Sequence, residues 1–249
     1  MARIPFPIRP PYPRHGFTLI ELLIVISIIA LLIAVLLPAL AASRRSAQAV
    51  VCATRLRQIT TAALTFAHDH DGMLPSAGSL SFGPPGQNDI HASWFFSLDR
   101  YLTGDMSQTA RCIADESPYW DSPEPATQLK RAVSYATNYY LSGWLTGYED
   151  YAVLTGVPRP SNTVYLTELA EQGSYATSDH VHPELWWIDP TNEPRQQIAL
   201  NRHNQQPNWG YLDGHVASRP LDEVYLLAPD STVGKLIWTV NHFDPKIAR

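Results

Sequence analysis

Charge is scarce in this chain. Only 16% of its 249 residues are Asp, Glu, Lys or Arg, and the formal balance is −5. A chain with no basic excess offers no electrostatic case for nucleic acid, because neutralised phosphates supply most of that affinity. Cysteine is scarcer still, with Cys52 and Cys112 alone. They fit one disulfide in an oxidising envelope compartment, or else two buried thiols. Catalytic signatures are missing: there is no Gly-x-Ser-x-Gly elbow, no His-Glu-x-x-His and no Gly-rich phosphate loop. Scattered acids such as Glu168, Glu171 and Asp179 could pair, but any chain with 23 carboxylates offers such pairs. The expectation is a protein that is not an enzyme.

What the chain does have is one long apolar run. From Phe17 to Leu40 only Glu21 is charged. A helix of that length reaches roughly 36 Å, enough to cross the hydrocarbon core of a bilayer. A secretory signal peptide has a shorter apolar region ending in a small-residue cleavage site, so this run reads differently. An ionised carboxylate within such a helix costs about 3 kcal/mol on insertion scales, so Glu21 calls for a partner. Arginine counts do not fix the orientation: Arg3, Arg9 and Arg14 precede the run, and Arg44, Arg45, Arg55 and Arg57 follow it.

The stretch Gly16-Phe17-Thr18-Leu19-Ile20-Glu21-Leu22-Leu23 resembles the prepilin processing motif of type IV pilins and type II secretion pseudopilins. That resemblance implies cleavage between Gly16 and Phe17 by a prepilin peptidase, followed by N-methylation of Phe17. It implies that Glu21 meets the free amine of Phe17 on a neighbouring subunit, and that Pro38 kinks the helix. Its partners would be the peptidase/methyltransferase, other pilin-like subunits with their assembly machinery, and membrane lipid. It places a single-pass chain in the bacterial inner membrane with its head extracytoplasmic. Loss of Arg3, Arg9 and Arg14 with the leader takes the balance from −5 to −8.

Taken in order, residues 1–16 carry five prolines and no apolar periodicity, as befits a leader. Residues 17–40 read as the membrane span, and 41–70 as its amphipathic extension. Cys52, Leu56, Ile59, Ala63 and Phe66 follow spacings that line one helix face. Asp71-Gly72 and Pro75 close the helix, and 71–249 reads as a globular head. Residues 76–91 suggest an exposed loop, and Trp94–Leu102 a short helix. Ser134–Leu141 and Thr163–Glu168 are rich in β-branched and aromatic residues and predict strands. Trp186-Trp187 lies in an irregular stretch, 170–200, and reads either as core or as a contact surface. Asp213-Gly214 between Trp209–Leu212 and His215–Ser218 predicts a hairpin with a two-residue type I′ turn. The fold class expected is α+β: a long N-terminal helix, first transmembrane and then amphipathic, packed on an antiparallel sheet.

His203, nine intervening residues, then Asp213-Gly214 resemble the H-X9-DG domain at the C-terminus of many prepilin-type proteins. The agreement includes Arg202, Asn208, His215 and Val216, with Ser134-Tyr135 and Asn138 upstream. His203, Asp213 and His215 are candidate metal ligands, and Asp179, His180 and His182 could add more. The alternative is structural: His203 hydrogen-bonds the backbone of the hairpin. No cofactor is expected beyond that possible ion. The functional expectation is a subunit of a pilus-like filament or secretion pseudopilus. The alternatives are an anchored module binding an extracellular ligand such as a polysaccharide, and an anchored metal-dependent enzyme.

Overall fold

The computed structural model describes residues 18–75, 94–126, 128–230 and 235–248, with side chains omitted at 228–230 and 235–238. Two of the sequence expectations, the leader 1–16 and the loop 76–91, lie outside the described residues. The chain divides into two compact units, Met1–Arg44 and Arg45–Arg249.

Helix α1 runs from Leu19 to Asp69, 51 residues, with Pro38 inside it. Proline removes one backbone donor there without ending the helix. In the first unit every large apolar residue from Leu19 to Leu40 is exposed. A helix apolar all round, with this stretch exposed among the described residues, suits lipid. This one is long and apolar enough to span a membrane.

In the second unit α1 buries Cys52, Leu56, Ile59, Thr60, Ala62, Ala63 and Ala67. The expected stripe is there, but Ala67 replaces Phe66, which is half-buried and stacks on His70 at 3.9 Å. Small residues at 62, 63 and 67 let the helix approach closely. The helix ends where Asp71 and Gly72 adopt positive φ, with the Gly72 N–H donating to the Ala67 carbonyl at 2.8 Å. At the helix end His68 is exposed, and His70 Nδ1 lies 2.8 Å from the Phe66 carbonyl.

The sheet has five strands in the order β3-β1-β2-β4-β5. They are β1 Tyr135–Asn138, β2 Val164–Glu168, β3 His180–Val181, β4 Asn208–Tyr211 and β5 Val216–Ser218. All pairings are antiparallel except β1 with β3. The antiparallel head expected from sequence is thus a mixed sheet with one parallel edge. A separate ribbon pairs β6 Tyr225–Asp230 with β7 Lys235–Asn241. Short helices α2 Met106–Ala110 and α3 Glu193–Gln197, with several 3-10 turns, fill the connections. Phe96–Tyr101, within the predicted short helix, is one of those 3-10 turns.

Strands β1, β2 and β4 are buried at every residue, so both faces of the sheet centre are covered. Side chains alternate between those faces. Tyr135, Glu168 and Asn208 fall on the α1 side, where the Tyr135 hydroxyl donates to the Cys52 carbonyl at 3.3 Å. On the other side Trp209 packs edge-on to Phe243, which also meets Trp186. Trp186 is therefore core, whereas Trp187 is 61% exposed.

Gly210 marks the closest approach of helix and sheet. A Cβ there would lie 2.8 Å from Thr60 Oγ1 and 3.4 Å from both Leu56 Cγ and Leu166 Cβ. Overpacking of this kind costs about 1–3 kcal/mol. Gly210→Ala should lower the urea midpoint accordingly, and Thr60→Ala on the same background should restore part of the loss. A Gly210→Ala protein as stable as the parent would show that helix and sheet are not in contact there.

Candidate functional site

Two places carry chemistry: the N-terminal end of α1 and a buried polar node where α1 meets the sheet. At the first, Thr18 is the N-cap. Its backbone N–H and its hydroxyl both donate to Glu21 Oε2 at 2.8 Å, and the Glu21 N–H donates back to Thr18 Oγ1 at 3.2 Å. This is a reciprocal capping box, readable as Thr-x-x-Glu but not foreseen in that role. It gives Glu21 a partner within its own chain. Gly16 and Phe17 lie outside the described residues.

The node is assembled from four separate elements. Cys52 of α1 and Cys112, two residues beyond α2, form a disulfide with Cα atoms 5.1 Å apart. Closing a loop of 60 residues this way contributes roughly 4 kcal/mol in the chain-entropy account. His203 Nε2 lies 3.5 Å from Cys112 Sγ and 2.9 Å from Glu168 Oε1. Glu168 also accepts from the Asn208 backbone N–H at 3.2 Å and from Asn208 Nδ2 at 3.1 Å. His203 thus bonds a carboxylate at the end of β2, and not the hairpin backbone as expected. The hairpin is reached through Asn208, whose Oδ1 accepts from Ser218 Oγ at 2.6 Å.

The hairpin turn also differs from expectation. Tyr211 N–H donates to the His215 carbonyl, and Gly214 N–H donates to the Tyr211 carbonyl, both at 2.9 Å. The loop therefore has three residues, with Gly214 alone at positive φ, 92°. Asp213 stays out of the left-handed region, which a type I′ turn would require it to enter. Its Oδ1 instead accepts from the His215 N–H at 3.1 Å and sits 2.5 Å from His215 Nδ1. His215 stacks on Tyr211 at 4.2 Å. So Asp213 and His215 meet each other but do not join His203, and the ligand set proposed from sequence is not assembled. Among the described residues, the group with metal-ligand spacing is Cys52, Cys112, Glu168 and His203.

Beside the node lies a charged network that sequence reasoning missed. Asp115 pairs with Arg131 at 2.7 Å and with Arg202 at 3.0 Å, and Arg202 pairs with Glu171 at 2.8 Å. Arg131 also donates to the carbonyls of Ala170, Ala176 and Leu169. Ser134 Oγ donates to Asp115 and accepts the Cys112 N–H, which links the network to the disulfide. Burial pushes the Asp115 carboxyl up, but Arg131, Arg202 and Ser134 outweigh it and hold it below the ordinary 3.8. Burial pulls Arg131 down to about 10 against the pull of Asp115, so it stays charged at any physiological pH. For Arg202 burial is outweighed by Asp115, Glu168 and Glu171, which push it up. Asn138 completes the set, donating to the carbonyls of Val164 and Phe243 at 2.8 and 2.7 Å. Ser134, Tyr135, Asn138, Arg202, His203 and Asn208 are thus each fixed by buried hydrogen bonds. Every one of them bonds across elements.

Residues 12–37 match the family model described as the prokaryotic N-terminal methylation motif. No curated protein matches the chain, and no solved structure does. The matched motif, set on an apolar helix capped by Thr18 and Glu21, supports a type IV pilin-like, membrane-anchored protein with an α+β head.

Proposed function

We propose that this chain is a structural subunit of a type IV pilus-like filament or secretion pseudopilus. One observation carries the reading: the methylation motif leads directly into a helix whose large apolar residues, Leu19 to Leu40, are all exposed among the described residues. Lipid satisfies that surface before assembly, and the same helices bundled together satisfy it afterwards. Prepilin peptidase cleaves after Gly16 and the new amine on Phe17 is methylated. The head stays extracytoplasmic and coats the filament. Its buried polar groups bond one another across elements, a pattern that serves rigidity. His203 belongs to that framework, and its spacing from Asp213-Gly214 is that of an H-X9-DG domain.

The test is the N-terminus of protein taken from membranes. Mass mapping should find a first peptide beginning at Phe17 with one added methyl group. Gly16→Val should abolish it and leave the leader attached. Wild-type protein that retains Met1–Gly16 throughout would sink the filament reading.

A further inference from the structure

The disulfide faces chemistry that a disulfide does not need. An S–S bridge is apolar and packs well against aliphatic neighbours, yet Cys52 and Cys112 meet a fully buried imidazole and a fully buried carboxylate. One ligand atom from each of Cys52, Cys112, Glu168 and His203 falls within 4.8 Å of the other three. The side chains of His203 and Glu168 are 2% and 0% exposed. Burying such a pair carries a desolvation cost that an apolar pair of like volume would avoid. The backbone is bent to bring His203 in: His203, Asn204 and Gln205 take φ of 52°, 60° and 65° in succession. Left-handed conformations are unfavourable for non-glycine residues. Such strain gathers at ligand clamps.

We propose that the node is a redox-gated zinc site, in which Cys52, Cys112, His203 and Glu168 bind one Zn²⁺ when the disulfide is reduced and release it when the disulfide forms. Two thiolates, an imidazole and a carboxylate make a four-coordinate set of the type zinc takes, and thiolate disfavours magnesium or calcium. With Zn–S near 2.3 Å, tetrahedral geometry needs the sulfurs about 3.8 Å apart. Cysteines with Cα atoms 5.1 Å apart reach that by side-chain rotation. Supporting bonds already hold the ligands, with Asn208 orienting Glu168 and Ser134 fixing the Cys112 backbone. A cleft of about 740 Å³, lined by Glu116, Glu171, Arg202, His203, Asn204 and Gln205, borders the loop that carries the histidine.

The exchange balances. A dithiol reductant gives two electrons and two protons to the S–S bond and becomes a disulfide itself. Zinc then displaces the two thiol protons to solvent. Two thiolates, one carboxylate and Zn²⁺ leave the site with one negative charge, beside the Arg202 guanidinium. Reoxidation by a disulfide-donating oxidoreductase takes two electrons from the thiolates and frees the ion.

The experiment uses the full chain in detergent. Oxidised and phosphine-reduced protein are each titrated with Co²⁺ and then with Zn²⁺. The reduced form should show a thiolate-to-cobalt charge-transfer band that saturates at one equivalent and is bleached by one equivalent of zinc. The oxidised form should show none. Zinc should raise the melting temperature of the reduced form only. His203→Ala and Glu168→Gln should each weaken zinc binding at least tenfold in the reduced form. If reduction alone unfolds the head, zinc present during reduction must keep it folded. Absence of the band in reduced protein, equal uptake by the oxidised form, unfolding despite zinc, or undiminished affinity in His203→Ala would overturn the proposal.

Discussion

Arg131→Ala is expected to destabilise the head by about 3–5 kcal/mol, the cost of breaking a buried ion pair from one side. The guanidinium has no exposed side-chain surface and pairs with an equally buried Asp115. Its loss strands that carboxylate with Arg202 as its remaining charge partner and takes a donor from the carbonyls of Ala170 and Ala176, while the Leu169 carbonyl keeps Arg202. A domain stable by 5–15 kcal/mol loses a large share. Urea melts followed by tryptophan fluorescence measure it. A shift below about 1 kcal/mol would mean that the pair is not buried in solution.

The same variant carries a pH signature. Asp115 is held below its ordinary 3.8, so its share of the stability is complete above that value. It is lost as pH falls through the lower folded-state value. Arg131 is the strongest of the groups holding it down, so Arg131→Ala moves the folded value back up. The acid limb of stability against pH should flatten in the variant, and an unchanged limb would assign the acid sensitivity elsewhere.

Glu21 carries the other large effect. Glu21→Ala should leave cleavage and membrane insertion intact and abolish incorporation into sheared filaments, judged by immunoblot. The capping box complicates that experiment, because alanine removes the carboxylate that accepts from Thr18 as well as the charge, while the backbone bond to Thr18 Oγ1 stays. Glu21→Gln separates the two. Glutamine at this position keeps a capping box with Thr18 but cannot pair electrostatically with a neighbour's amine. Filaments lost in both variants assign the role to charge. Filaments retained in Glu21→Gln would assign it to the cap.

Elements with a local signal were legible in the sequence. Helix α1 was readable because an apolar run followed by a 3–4 stripe has few other structural solutions, and its end because Asp71-Gly72 supplies the left-handed turn. The Cys52–Cys112 bridge was foreseeable from two cysteines, one of them on the packing stripe. Strands β1 and β2 stood out by composition, although burial on both faces erased the alternation that marks a half-exposed sheet. At two residues, β3 is too short for any pattern. Asp213-Gly214 located the hairpin but suggested the wrong loop length, since Asp213 spends its side chain on His215 and keeps negative φ. What could not be read was who meets whom. Glu168 and His203 are 35 residues apart, and Arg202 and Leu169 are 33 apart, so only the folded sheet brings them together.

The placement of Cys52 has a mechanical consequence. It is the first fully buried residue of α1, so tension applied along the helix from its N-terminal end reaches the head there before Leu56, Ile59 or Ala63 are loaded. A covalent link at that point passes the pull to Cys112 and, through Ser134, into the first strand of the sheet. The noncovalent contacts behind it are then loaded together, in shear, instead of parting one after another from the near end. With the bridge formed the joint resists peeling, and with both thiols reduced and no ion bound it opens turn by turn.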